Sequence, residues 1–222
     1  MNRQHTFTKL LIGITILAVI VLTGCSDPGP AAADAQNYTQ AVLDLVCKGD
    51  YDHSVDLADI EDDQELSLRD RMVSEILASL ADDAELTDDV KAEFRDVLTD
   101  AFSKCKYTVG DAVPSDQGGF DVPVSIEPFK LFYGVSDKLE NQISTAFGDV
   151  DDVNTLTQEE YNSRIYSLMA KLIRENLQTP FYDAPVEVVV HYGLLDEASN
   201  AYGISDEEGA KLGPCLFSTS QN

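Results

Sequence analysis

The sequence predicts an α+β fold in which several helices pack on a small antiparallel sheet. Amphipathic segments with the helical period of 3.6 residues come first, and segments that alternate apolar and polar residues follow them. A further long amphipathic segment then separates this first group of strands from a second group. Short turns within each group indicate antiparallel pairing, with helices covering one face of the sheet.

Three amphipathic segments precede the first strand. We expect helices over residues 36–48, 64–80 and 88–104, because each places apolar side chains three and four residues apart. Gly49 is expected to end the first helix, and Thr87 is expected to cap the third.

Period-two alternation begins at Tyr107 and Val109. After a turn at residues 116–119, the segment Phe120–Ile126 alternates in the same way. These two segments predict a hairpin with one buried face and one solvated face. Pro123 has no backbone N–H, so we expect it to face a sheet edge or a bulge.

The second half of the chain continues with helices and strands. We expect a helical segment over residues 129–147. Thr157 and Glu160 predict a capping box at the start of a long helix that reaches Leu177.

A strand and its partner follow this long helix. Val186–Val190 predicts a strand, and residues 201–204 predict its partner. Ser205 and Glu208 predict a second capping box, which opens a terminal helix that Gly213-Pro214 ends.

The amino terminus has the features of an export signal. Arg3 and Lys9 precede Leu10–Leu22, an apolar run that would span about 20 Å as a helix, less than the roughly 30 Å of a hydrocarbon core. Leu22-Thr23-Gly24-Cys25 resembles the lipobox of bacterial lipoproteins. The resemblance implies cleavage before Cys25 and a diacylglycerol on its thiol, which inserts in the bilayer. An ordinary signal peptide, or an uncleaved anchor helix that ends near a cysteine, is the alternative.

These features divide the chain into three parts. Residues 1–24 are the predicted lipoprotein signal peptide, and residues 25–35 form a lipid anchor and flexible tether rich in proline and alanine. Residues 36–222 form a single α+β domain, which is long enough for one ordinary core. We expect this domain at the extracytoplasmic face of the cell membrane.

The chain is strongly acidic. It has 40 acidic and 15 basic residues, for a formal net charge of −25. Arg3 and Lys9 belong to the predicted signal peptide, so the mature chain is more acidic still. Such a surface repels nucleic acid and anionic lipid headgroups, so we expect no nucleic-acid partner and a membrane contact through acylated Cys25.

Three cysteines follow Cys25, which allows one disulfide and one free thiol in an oxidising compartment. Cys105 falls on the apolar stripe of a predicted helix, where a buried free thiol fits. The pattern therefore favours a Cys47–Cys215 disulfide. No spacing among these cysteines is typical of a zinc site or a redox pair.

No catalytic constellation stands out in the sequence, and no cofactor is implied. His53 and His191 are the histidines beyond the signal segment, and no G-x-S-x-G elbow accompanies them. Surface histidines are the more common explanation for such residues.

A partial EF-hand pattern is the most specific metal signal. Asp149, Asp151, Asp152 and Glu160 occupy ligand spacings of a calcium loop, but Asn154 stands where the turn requires glycine. Aspartates ahead of a helix amino terminus are the simpler explanation. The sequence therefore predicts no metal site and leaves these four residues as an incomplete calcium candidate; the acidic run at 59–63 is weaker.

Several short motifs resemble a group of uncharacterised surface lipoproteins of Gram-positive bacteria. The motifs are Tyr38…Val42-Leu43-Asp44…Lys48-Gly49-Asp50-Tyr51, Lys106-Tyr107-x-Val109 and Pro185-Val186-x-Val188-x-Val190. The resemblance implies a cone-shaped α+β core like that of cystatin or nuclear transport factor two. It implies no catalytic residue.

The leading functional hypothesis is a membrane-anchored, non-enzymatic binding or interaction domain whose partner is a protein or a small molecule. The alternative is a cell-envelope hydrolase or a small-solute receptor that uses carboxylates. A cleft with convergent polar groups would favour the alternative, whereas a convex and uniformly acidic surface would favour the first hypothesis.

Overall fold

The computed structural model describes residues 22–23, 30–50, 52, 57, 68–198 and 200–218. Cys25, His53 and the acidic run at 59–63 lie outside these residues. The helices are α1 (Ala32–Cys47), α2 (Leu68–Asp83), α3 (Asp88–Phe102), α4 (Val135–Gln142), α5 (Gln158–Gln178), α6 (Asp206–Gly209) and α7 (Gly213–Leu216). The strands are β1 (Leu22–Thr23), β2 (Lys106–Val109), β3 (Val113–Pro114), β4 (Phe120–Glu127), β5 (Val186–Asp196) and β6 (Ala201–Ile204). Within the described part of the chain, no helix has both the length and the apolar character needed to cross a bilayer.

The predicted α+β class is confirmed. The strands form one curled antiparallel sheet in the order β1-β6-β5-β4-β2, and β3 pairs with β4 beside β2. Helix α1 packs on the sheet, where it contacts β2, β4 and β6, and α2 packs beside α1. Helix α3 contacts α2 and α5, so the helices build outward from α1.

The predicted hairpin explains how the core forms. Val122, Val124 and Ile126 on β4 are fully buried, while the residues between them are only partly buried. Their side chains leave the sheet on one face because successive residues of a strand point to opposite faces. From the helix side, Tyr38 of α1 meets Tyr192 of β5 with ring centroids 5.2 Å apart.

Pro123 lies at an interruption in the sheet, as its missing N–H requires. Strand β4 is an interior strand, with β5 on one side and β2 and β3 on the other. The Pro123 carbonyl accepts the N–H of Gly110, which follows the last residue of β2. Proline has no N–H with which to return a second bond to Gly110, so the β2–β4 pairing ends at Val109 and Val124, beside the gap between β2 and β3.

The first helix begins earlier than the sequence pattern predicts. The predicted tether over residues 25–35 is wrong from Ala32 onward, because residues 32–35 are helical and Ala35 is fully buried. The Asp34 carboxylate accepts the Ala31 N–H at 2.8 Å, which satisfies a donor at the start of α1. At the other end, Gly49 adopts a left-handed φ of 75° and its N–H donates to Asp44 O, so the predicted stop is confirmed.

The capping box at Thr157 is confirmed. Thr157 N donates to Glu160 Oε2 at 2.8 Å, and Glu160 N donates back to Thr157 Oγ1 at 3.2 Å. The segment predicted as helical over residues 129–147 becomes helical only at Val135.

The predicted end of the terminal helix at Gly213-Pro214 is wrong. The Ser205 side chain accepts the Glu208 N–H as predicted, but the Glu208 carboxylate accepts the His191 N–H, so only half of the predicted capping box forms. Helix α6 already ends at Gly209. Gly213 and Pro214 instead begin α7. Proline fits there because first-turn N–H groups have no partner within a helix.

The turn between β3 and β4 passes close to β5, and substitutions at its two adjacent glycines test this close approach. Gly118 and Gly119 both have positive φ, but only a Cβ at Gly119 would overlap the Tyr192 carbonyl oxygen. We expect Gly118→Ala to cost about 1 kcal/mol from backbone strain. Gly119→Ala should cost about 3 kcal/mol or more because backbone must also move. Urea denaturation measures both values, and equal losses would contradict the predicted collision.

Candidate functional site

A polar cleft opens where the end of α1 approaches β2 and β4. Its volume is about 410 Å³, and we call it the α1–β2 cleft. The residues that line it are Gln40, Lys48, Cys105, Lys106, Tyr107, Thr108, Ser125, Glu127 and Pro185. Antiparallel pairing places Lys106 opposite Glu127 and Thr108 opposite Ser125, so these four residues share one face of the sheet.

The Asp44 carboxylate organises the helix side of the cleft. Its Oδ1 atom accepts from Gln40 Nε2 at 2.9 Å, pairs with Lys48 Nζ at 2.7 Å and also accepts the Tyr107 hydroxyl. Gln40, Asp44 and Lys48 are four residues apart, so they form one row on α1. Tyr107 belongs to β2. This carboxylate therefore holds the end of α1 against the edge of the sheet.

Tyr107 is held in its protonated form. Burial raises the pKa of its phenol well above the usual range, and the hydrogen bond to the Asp44 carboxylate adds to this effect. Lys48 Nζ lies 5.7 Å from the centre of the Tyr107 ring, a cation–π distance. The phenol is thus a hydrogen-bond donor and a poor base at neutral pH.

Lys106 provides the second ammonium group of the cleft. Its Nζ lies 3.9 Å from the centre of the Tyr182 ring and 3.7 Å from Glu127 Oε2. Tyr182 is itself positioned by its hydroxyl, which donates to Lys104 O at 2.7 Å. About half of the Lys106 side chain remains exposed to solvent. The ammonium is therefore positioned by its neighbours and still accessible from the cleft.

The predicted Cys47–Cys215 disulfide is absent. Cys47, Cys105 and Cys215 all carry free thiols. Cys47 is buried at the end of α1, and its interaction with the neighbouring Cys105 thiol raises the pKa of Cys105. Cys215 belongs to α7, and its thiol donates to Lys211 O at 3.5 Å. The apolar stripe predicted a buried free thiol at Cys105. A periodic pattern within one segment does not show which other segment that thiol contacts.

The calcium candidate does not form a site. Asp149 makes two contacts with the Arg164 guanidinium, at 2.6 and 3.1 Å, which hold the pKa of this carboxyl below its usual range. Asp152 caps a 3₁₀ turn, and Glu160 belongs to the capping box of α5. Across the described residues, including Asp151, no group of three or more candidate ligands could hold a metal ion.

His191 joins two strands and a helix. Its Nδ1 lies 2.9 Å from Asp121 Oδ1 on the paired strand β4, and its backbone N–H donates to Glu208 Oε2 at 2.8 Å. These contacts link β4, β5 and α6. A cross-strand side-chain contact of this kind accounts for the residue as part of the sheet.

The cleft was not predicted from the sequence, although part of its signal was present. Gln40, Asp44 and Lys48 at intervals of four residues indicate a polar row on α1. Around Tyr107, the alternation with its neighbours indicates only a strand with one buried face. No local pattern shows that these segments meet, because their contact depends on how α1 packs on the sheet.

Tyr107→Phe tests the contact between α1 and β2. At neutral pH the variant should lose about 1–2 kcal/mol of stability, because a hydrogen bond to a carboxylate is removed while Asp44 keeps two partners. In the wild type, stability should fall as pH rises above about 10, because the unfolded tyrosine ionises there and the folded one does not. The variant should lose part of that slope.

Urea denaturation at a series of pH values measures both effects. Tyr133→Phe is the matched control, because Tyr133 is 45% exposed and lies outside the cleft. Equal alkaline slopes in the wild type and Tyr107→Phe would contradict the assignment.

Comparison with family models, curated proteins and solved structures finds no significant match for this chain.

Proposed function

We propose that this protein is an exported lipoprotein, anchored through acylated Cys25 at the extracytoplasmic face of the cell membrane. Its domain is a non-enzymatic receptor for a small polar ligand. The charged start, the apolar run and the Leu22-Thr23-Gly24-Cys25 motif support the anchor. The α1–β2 cleft supports the receptor, because it gathers polar groups from separate elements.

One observation carries the ligand class. Two of the few basic residues, Lys48 and Lys106, line the same cleft of a chain that has 40 acidic residues. Both lysine side chains are more than half exposed. The lysines would attract a carboxylate or another anionic group of a ligand.

The cleft also contains negative charge. Glu127 lines it, and the Asp44 carboxylate lies behind Lys48. A purely anionic ligand would meet these carboxylates, whereas a zwitterion can place its ammonium group near Glu127 and its carboxylate near the lysines. Thr108 and Ser125 add hydroxyl groups. A volume of about 410 Å³ is at the small end of ligand sites, so we propose a short peptide with free termini.

The chemistry of the cleft favours binding over catalysis. A nucleophile or a general base must be readily deprotonated near neutral pH. Burial and the Asp44 carboxylate raise the pKa of Tyr107, and Cys47 and burial raise the pKa of the Cys105 thiol. Both groups therefore stay protonated, and each already donates its proton within the protein, Tyr107 to Asp44 and Cys105 to Ala101 O.

The anchor is tested by Cys25→Ala in a bacterial host. The wild type should incorporate radiolabelled fatty acid and remain in the membrane fraction, because two acyl chains give stable attachment. Cys25→Ala should lose both properties, and Cys215→Ala is the matched control that should keep them. A Cys25→Ala chain that still carries label would show that the acyl group is attached to another residue, which would contradict the proposed anchor.

The ligand class is tested by titration calorimetry with the dipeptide Ala-Ala and with its N-acetylated amide. We expect the free dipeptide to bind and the blocked form to fail, because only the first has both charges. Lys106→Ala should weaken binding at least about tenfold, which corresponds to the loss of one charged contact.

Lys138→Ala is the matched control for this titration. Lys138 also forms an exposed ion pair, with Glu175 on α5, and lies outside the cleft. Equal binding of both dipeptides, or equal losses in Lys106→Ala and Lys138→Ala, would refute the zwitterion proposal.

A further inference from the structure

Two cysteines from distant parts of the sequence meet beside the cleft. Cys47 is the last residue of α1, and Cys105 lies between α3 and β2. The two thiols are neighbours, and the interaction with Cys47 raises the pKa of the Cys105 thiol. The Cys105 thiol also lies 3.9 Å from Ala101 O, a contact to the end of α3.

The segments that carry these cysteines are fixed to each other. Tyr107 follows Cys105 by two residues, and its hydroxyl donates to Asp44, which precedes Cys47 by three residues. Residues three apart share one side of a helix and residues two apart share one side of an extended chain, so this hydrogen bond brings Cys47 and Cys105 to the same side of the contact. Because α1 and β2 are already held together at this point, a covalent bond between the sulfurs would close a loop without ordering any new segment.

We propose that Cys47 and Cys105 form a structural disulfide when the chain meets an oxidising environment. The oxidant is itself a disulfide, either of a small thiol such as glutathione or of a thiol oxidoreductase. The proposal concerns the reduced pair seen here and does not depend on lipidation or on ligand binding.

The exchange can proceed from Cys105, because this residue lines the cleft whereas Cys47 is almost fully buried. The Cys105 thiolate attacks one sulfur of the oxidant, whose other sulfur leaves and takes up a proton. The Cys47 sulfur, after losing its proton, attacks Cys105 Sγ and expels the second oxidant sulfur as a thiol. Two protein thiols are oxidised to one disulfide, and one oxidant disulfide is reduced to two thiols.

The environment suits a structural bridge rather than a rapid redox relay. Catalytic cysteines have a lowered pKa, which keeps a thiolate ready for attack. The Cys47 thiol and burial instead raise the pKa of Cys105. Oxidation should therefore be slow at neutral pH, and the closed loop of about 60 residues would restrict the unfolded chain.

The test uses the full chain with Cys25→Ala, which leaves three cysteines. The purified protein is incubated with oxidised glutathione, denatured, alkylated and mapped by mass spectrometry of its proteolytic peptides. We expect one disulfide that joins the Cys47 and Cys105 peptides, together with one alkylated thiol at Cys215.

A matched pair of further variants separates this pairing from the alternatives. Adding Cys215→Ala should leave the cross-linked peptides unchanged, whereas adding Cys105→Ala should abolish the cross-link within the chain. A bridge that includes Cys215, or complete alkylation of Cys47 and Cys105 after prolonged oxidation of the folded protein, would overturn the proposal.

Discussion

The packing of α1 against the inner face of the curled sheet is the contact on which the rest of the structure depends. This helix contacts β2, β4, β5 and β6 as well as α2, and its apolar side is buried along almost its whole length. The Tyr38–Tyr192 contact fixes one part of α1 on β5, and the Asp44–Tyr107 hydrogen bond fixes its end on β2. One helix thus supplies the core of the sheet, the polar row of the cleft and one of the two adjacent thiols. A change in its angle or register would alter all three features together.

The acidic composition has a structural role as well as a surface effect. Aspartates and glutamates occupy the first turn of α3, α5 and α6. Their negative charge is attracted there to the exposed N–H groups and to the positive end of the helix dipole. Glu160 of the calcium candidate is one of these first-turn residues, whereas Asp149 pairs with Arg164. Against this background the cleft is unusual, because two lysines lie there beside only a few carboxylates. Charge contrast, rather than total charge, is what makes this part of the surface suited to a specific ligand.

The sequence predicted the elements better than the contacts between them. The alternation of Phe120–Ile126 and the capping box at Thr157 are local patterns with a direct physical cause, and both are confirmed. The start of α1 was predicted too late because alanine fits both a tether and a helix, and Ala35 is buried only through tertiary packing. Gly213-Pro214 was misread because proline is also favoured in the first turn of a helix. The cleft and the Cys47–Cys105 contact require α1, β2 and β4 to meet, and no local pattern contains that information.

The two residues of β1 belong to the predicted signal peptide, so processing and folding meet at one edge of the sheet. Leu22 pairs with Tyr202 and Thr23 with Ala201. Cleavage after Gly24 would remove β1 and leave the outer edge of β6 open. The fold would not require β1, because β6 also pairs with β5. Three of the four residues of β6 are buried, namely Ala201, Gly203 and Ile204. An open edge of four residues is short, which limits its use as a template for aggregation. The cleft lies on α1, β2 and β4, and β1 is at the opposite end of the strand order from β2, so the loss of β1 would leave the contacts that build the cleft intact.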